Sequence, residues 1–83
     1  MKSEWIKPGL ENAAYHAVQE MAELQKDLTK CLLYGWGSTW EGTVNYKKVL
    51  SEMDDVRRAC GRLLLEMQTK GDDGLLQDLR PMP

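Results

Sequence analysis

Residues 18–28, VQEMAELQKDL, carry the repeat from which the rest of the chain can be read. Within and around them the apolar positions run Ala14, Ala17, Met21, Leu24, Leu28 and Cys31, in alternating steps of three and four. That spacing keeps one face of an α-helix apolar. The same stretch places Glu20 and Glu23 just under one turn apart, so two like charges project side by side next to the stripe.

Working outward, Pro8 suits a first helical turn, and YGWGSTWEG (34–42) cannot continue the pattern because it carries three glycines. The first helix is therefore predicted over 9–33, with a loop over 34–42. A second apolar row, Val49, Met53, Val56, Cys60, Leu63 and Met67, predicts a helix over 43–70. KGDDG stops it, with Gly71 as the C-terminal cap, and 71–83 is a short tail able to form one helical turn before its prolines. Nothing alternates with a period of two, so strands are not expected. The reading is a single all-α domain over 1–83, an antiparallel two-helix hairpin with short terminal segments.

The chain has 83 residues, a net charge of −2 and 42% hydrophobic residues. A core this small is marginal, and one hairpin cannot bury two apolar stripes well. The expectation is a helical bundle completed by a second copy, a homodimer or higher homo-oligomer. The mild acidity argues against nucleic acid as a partner. No segment has the apolar run of a membrane span or a signal peptide, so a cytoplasmic protein is expected. Cys31 and Cys60 are expected to be reduced and buried on the stripes, with Cα atoms about 20 Å apart in a hairpin, too far for a disulfide.

Of the acidic residues, only Glu20 and Glu52 have another acid three positions on, Glu23 and Asp55 respectively. One pair falls on each helix. Glu23 lies about 15 Å before the end of the first helix and Glu52 about 14 Å after the start of the second. In an antiparallel hairpin the pairs are level, and each is offset from its stripe in the same sense. His16 and Asp27 share this face on the first helix; Lys48 and Arg62 flank it on the second. Four ionised carboxylates in a partly dehydrated groove repel strongly unless some are protonated or cations are present. Oxygen donors without several histidines or a cysteine favour magnesium, with manganese as the alternative, over zinc. A competing reading has Lys26, Lys30, Lys48 and Arg62 neutralise the acids along a helix seam with no ion.

Glu20-x-x-Glu23, a gap of 28 residues and Glu52-x-x-Asp55-Val56, with EMAEL and SEMDDV around them, resemble the signature of the MazG-like all-α nucleoside triphosphate pyrophosphohydrolases. That superfamily also includes dimeric dUTPases and dCTPases. The resemblance covers about residues 13–67 of the chain and implies a magnesium-dependent enzyme cleaving a (deoxy)nucleoside triphosphate to monophosphate and pyrophosphate. It also implies that Glu20, Glu23, Glu52 and Asp55 are metal ligands and catalytic groups, one of which positions or deprotonates the attacking water. Chains this compact occur among phage-encoded relatives. Arg57 and Arg58 depart from the pattern, standing where the family usually continues with apolar residues.

Substrate contacts are less specific. Lys26, Lys30, Lys48 and Arg62 are candidates for phosphate binding, although lysines on helix surfaces are commonly just solvated. Trp36 and Trp40 are candidates for stacking on a base, or they cap the end of the bundle. The rival function is a non-catalytic helical interaction or regulatory protein that binds a protein partner through the hairpin surface, with the loop tryptophans as anchors.

Overall fold

The computed structural model describes residues 9–81 and is a helical hairpin. The first helix, α1, spans Leu10–Tyr34, within one residue of the expected range. Pro8, expected in the first helical turn, lies outside the described residues. Glu11 in the first turn complements the positive end of the helix dipole. At the other end Gly35 takes φ 104° and donates its N–H to the Cys31 carbonyl at 2.9 Å. A side chain would strain that conformation, so glycine ends the helix here.

The loop contains structure that the sequence pattern did not predict. Strands β1 (Thr39–Trp40) and β2 (Thr43–Val44) pair antiparallel, with Thr39 opposite Val44 and Trp40 opposite Thr43. Glu41 and Gly42 join them with φ 52° and 81°, the positive pair that a type I′ turn requires. Two-residue strands are too short to show alternation, so periodicity could not reveal them; the signal was the Glu-Gly pair between TW and TV.

This small hairpin is tied to the start of the second helix, α2, Asn45–Leu76. The N–H groups of Asn45 and Tyr46 donate to the carbonyls of Ser38 (2.7 Å) and Trp36 (3.1 Å), and Asn45 Nδ2 donates to Gly35 O at 3.1 Å. Loop carbonyls thus satisfy α2's first donors where a side-chain cap usually would. At Gly71 (φ 80°, ψ 165°) the helix is interrupted, as expected, but it resumes to Leu76, farther than the single turn anticipated. Arg80 then bonds Glu11 at the start of α1, drawing the tail back across the open end of the hairpin.

The two helices meet through small side chains. Ala13, Ala17, Cys31, Val49 and Ala59 form the buried core, with Glu20 and Asn45 buried among them. Alanines let the backbones approach closely, but they bury little apolar area. The radius of gyration, 16.1 Å, exceeds the roughly 12 Å of a globule of this length, and the extents are 48 × 28 × 19 Å.

The expected stripes therefore lie only partly in the seam. Ala17, Cys31 and Val49 are buried, whereas Met21 (45% exposed), Met53 (52%) and Met67 face outward. Cys60 is exposed, a correction to its expected burial; both cysteines are free thiols. Rotating about 100° per residue from the buried line explains the shift. Val18, Met21 and Leu32 on α1, and Leu50, Met53 and Leu64 on α2, lie to one side of the seam in the same rotational sense, and all are exposed. In antiparallel helices the same sense means the same face, so the hairpin has one apolar face. The opposite side carries His16, Glu20, Glu52 and Asp55. No helix among the described residues is long and apolar enough to cross a membrane.

Candidate metal and nucleotide site

Glu20 on α1 and Glu52 and Asp55 on α2 converge across the seam. Each offers a carboxylate oxygen, and these oxygens lie within 4.8 Å of one another. Glu20 is 5% exposed, where an ionised carboxylate with no partner would be costly. Its Oε1 lies 3.4 Å from His16 Nε2, one turn back on the same helix.

Glu52 is the perturbed member. Burial first, then its hydrogen bond with Glu20 and the charges of Glu20, Asp55 and Asp27, push its pKa up to about 8. Burial and the neighbouring acids thus favour the protonated form of Glu52 near neutral pH. Its Oε1 is nonetheless buried without a hydrogen-bond partner. Three convergent carboxylates, one of which also carries a buried oxygen without a partner, fit a hard divalent cation, which would replace the proton on Glu52. With no sulfur donor in the cluster, the set suits magnesium or manganese better than zinc.

Neighbouring residues explain which acids take part. Asp54 is bound by Arg57 (2.6 Å) and Arg58 (2.5 Å), whose guanidinium groups hold its carboxyl below the usual range. The two arginines that depart from the resembled pattern thus occupy Asp54 at the surface and leave Asp55 to the cluster. Glu23 is exposed and does not join the three convergent oxygens. It lines an open groove of about 400 Å³ next to them, and Glu52 lines the same groove.

Four lysines border that groove: Lys26 and Lys30 from α1, and Lys47 and Lys48 from α2. Trp40 forms part of its wall, and the Lys30 ammonium sits 4.5 Å from the centre of the indole ring. Of the candidate substrate residues, Lys26, Lys30, Lys48 and Trp40 are brought together here. Arg62 and Trp36 do not line the groove. Lys47 was missed; its signal was a tandem lysine in the first turn of a helix entered from a tight turn.

No family model matches the chain, and neither does any curated protein or solved structure.

Proposed function

We propose that the protein is a magnesium-dependent nucleotide pyrophosphohydrolase, cleaving a nucleoside triphosphate to monophosphate and pyrophosphate. The observation that carries this reading is the junction of an oxygen-donor cluster, Glu20, Glu52 and Asp55, with a lysine-lined groove through the shared residue Glu52. Acidic donors alone suit many roles, and surface lysines alone suit any anion. A polyphosphate with its magnesium calls for both, side by side.

Glu20, Glu52 and Asp55 would hold the cation, which when bound supplies positive charge for the phosphates and a more acidic attacking water. The chain does the rest. Lys26, Lys47 and Lys48 draw the polyphosphate into the groove and orient it. His16 positions Glu20 from behind. One carboxylate of the site accepts the proton of the water that attacks phosphorus, the α–β bridging bond breaks, and pyrophosphate leaves with the bridging oxygen. Glu23, at the groove wall, would add a further carboxylate beside the bound cation.

The apolar face opposite the site is covered by a second copy of the chain in this reading. Six large apolar side chains stand exposed along it, which a hairpin of this size does not keep in water at no cost.

The test is direct: incubate the protein with magnesium and a panel of ribo- and deoxynucleoside triphosphates, and resolve the products by ion chromatography. Monophosphate and pyrophosphate in equal amounts, abolished in Glu20→Gln, are expected. No turnover, together with no carboxylate-dependent magnesium binding in the presence of a nonhydrolysable analogue, would sink the reading in favour of a non-catalytic interaction protein.

A further inference from the structure

Trp40 occupies a position that the hydrolytic reading leaves unused. It is the last residue of β1, directly before the Glu41–Gly42 turn, and its place is held by pairing with Thr43. The loop that leads into β1 is in turn tied to the start of α2, where the Asn45 and Tyr46 N–H groups donate to the Ser38 and Trp36 carbonyls. An exposed aromatic on so constrained a backbone is presented to the groove at little entropic cost. The groove runs between this indole and Glu52 of the acidic cluster. Its volume of about 400 Å³ lies within the usual range for small-molecule sites.

The Lys30 ammonium lies over the ring at 4.5 Å. At a site this open a cation–π contact is weak, and stacking of a nucleobase on an indole is the stronger interaction. Base and ammonium compete for the same π system, and displaced lysine has phosphate within the same groove to move to. Resting on the reading of the site as a nucleotide site, we propose that Trp40 is its base-stacking platform and that Lys30 is an exchange partner, lying on the indole in the free protein and moving to the polyphosphate when a base takes its place. Recognition by stacking implies a ligand with an aromatic base but gives little discrimination among bases, since every base has a π face. Trp36, outside the groove, has no part in it.

Inorganic tripolyphosphate and a nonhydrolysable nucleoside triphosphate, each with magnesium, separate the two roles, because only one carries a base. Affinities would be measured by calorimetry for the wild type, Trp40→Leu, Trp40→Phe and Lys30→Gln, with helical circular dichroism confirming the fold. Trp40→Leu should weaken the nucleotide by about tenfold, roughly one stacked base, and leave tripolyphosphate unchanged or slightly tighter, since Lys30 is freed. Trp40→Phe should recover most of the nucleotide affinity, and Lys30→Gln should weaken both ligands. Equal effects of Trp40→Leu on the two ligands, or no effect on the nucleotide, would overturn the stacking role while leaving the site intact. If the wild type binds neither ligand, the stacking role falls together with the nucleotide reading.

Discussion

Glu52 of α2 is hydrogen-bonded to Glu20 of α1 across the helix seam, and its pKa is pushed up to about 8. A carboxyl on each helix thus meets the other across the seam, and burial together with the neighbouring acids favours the protonated form of Glu52.

The pH dependence follows from this pair. Glu52 has an ordinary value near 4.5 in the unfolded chain and about 8 when folded. Between those values the folded state holds the extra proton, so the contribution is complete below pH 4.5 and is lost as pH rises through 8. Thermal melts in chelator should show Tm falling over that window, and Glu52→Gln should flatten the slope. Magnesium should raise Tm more at pH 8 than at pH 6, because it replaces a proton that is already leaving. A magnesium effect that does not change with pH would refute the link.

Turnover should distinguish the three convergent acids from Glu23. Glu20→Gln removes a buried donor and is expected to lower kcat/KM by at least about a hundredfold, the scale for losing a group that stabilises transition-state charge. Glu23→Gln, at the groove wall, should cost about tenfold or less, seen mainly in KM. Steady-state pyrophosphate release measures both, and equal losses would place Glu23 in the cluster after all.

Glu41 is a non-glycine residue with φ 52°, in a turn that favours asparagine or glycine. Glu41→Asn should therefore stabilise the fold by about 0.5 to 1 kcal/mol, raising Tm by a few degrees in a domain this size. A drop in Tm would mean that the exposed Glu41 carboxylate makes a compensating interaction.

Ala17 is 1% exposed, in the buried core between the helices. Ala17→Leu should overpack the seam and cost about 1 to 3 kcal/mol, readable as a shifted urea midpoint. Ala22→Leu, at an exposed position of the same helix, should change stability by only a few tenths of a kcal/mol, within the usual surface range of about 0.5.

The exposed apolar face should show itself in solution. Sedimentation velocity is expected to give a dimer or larger species for the wild type, and Met21→Glu with Leu50→Glu should yield a monomer that still binds magnesium. A wild-type monomer at high micromolar concentration would leave the face without its second copy.

Much of this arrangement is legible along the chain. Step patterns of three and four at 14–31 and 49–67 predicted two helices, three glycines placed the loop, and matching acid pairs on both helices pointed to Glu20, Glu23, Glu52 and Asp55, of which Glu20, Glu52 and Asp55 converge. These features are local: each depends on residues within a turn or two, or on arithmetic along a rigid helix. Of the four basic residues named as phosphate candidates, Lys26, Lys30 and Lys48 line the groove and Arg62 does not.

What remained needed three dimensions. Helical phase shows that a stripe exists but not which edge of it meets the partner helix. Close packing at Ala13, Ala17 and Ala59 settled that, turning Met21, Met53 and Cys60 outward and bringing Glu20 in. Asp54 and Asp55 are neighbours of equal charge, and only side-chain geometry gives one to Arg57 and Arg58 and the other to the cluster. Trp36 and Trp40 are likewise alike in sequence, yet the Glu41–Gly42 turn puts Trp40 in the groove. The chain alone determined the helices and the inventory of acids. Tertiary packing decided which acids meet, because proximity between helices depends on side-chain volumes that no one-dimensional pattern contains.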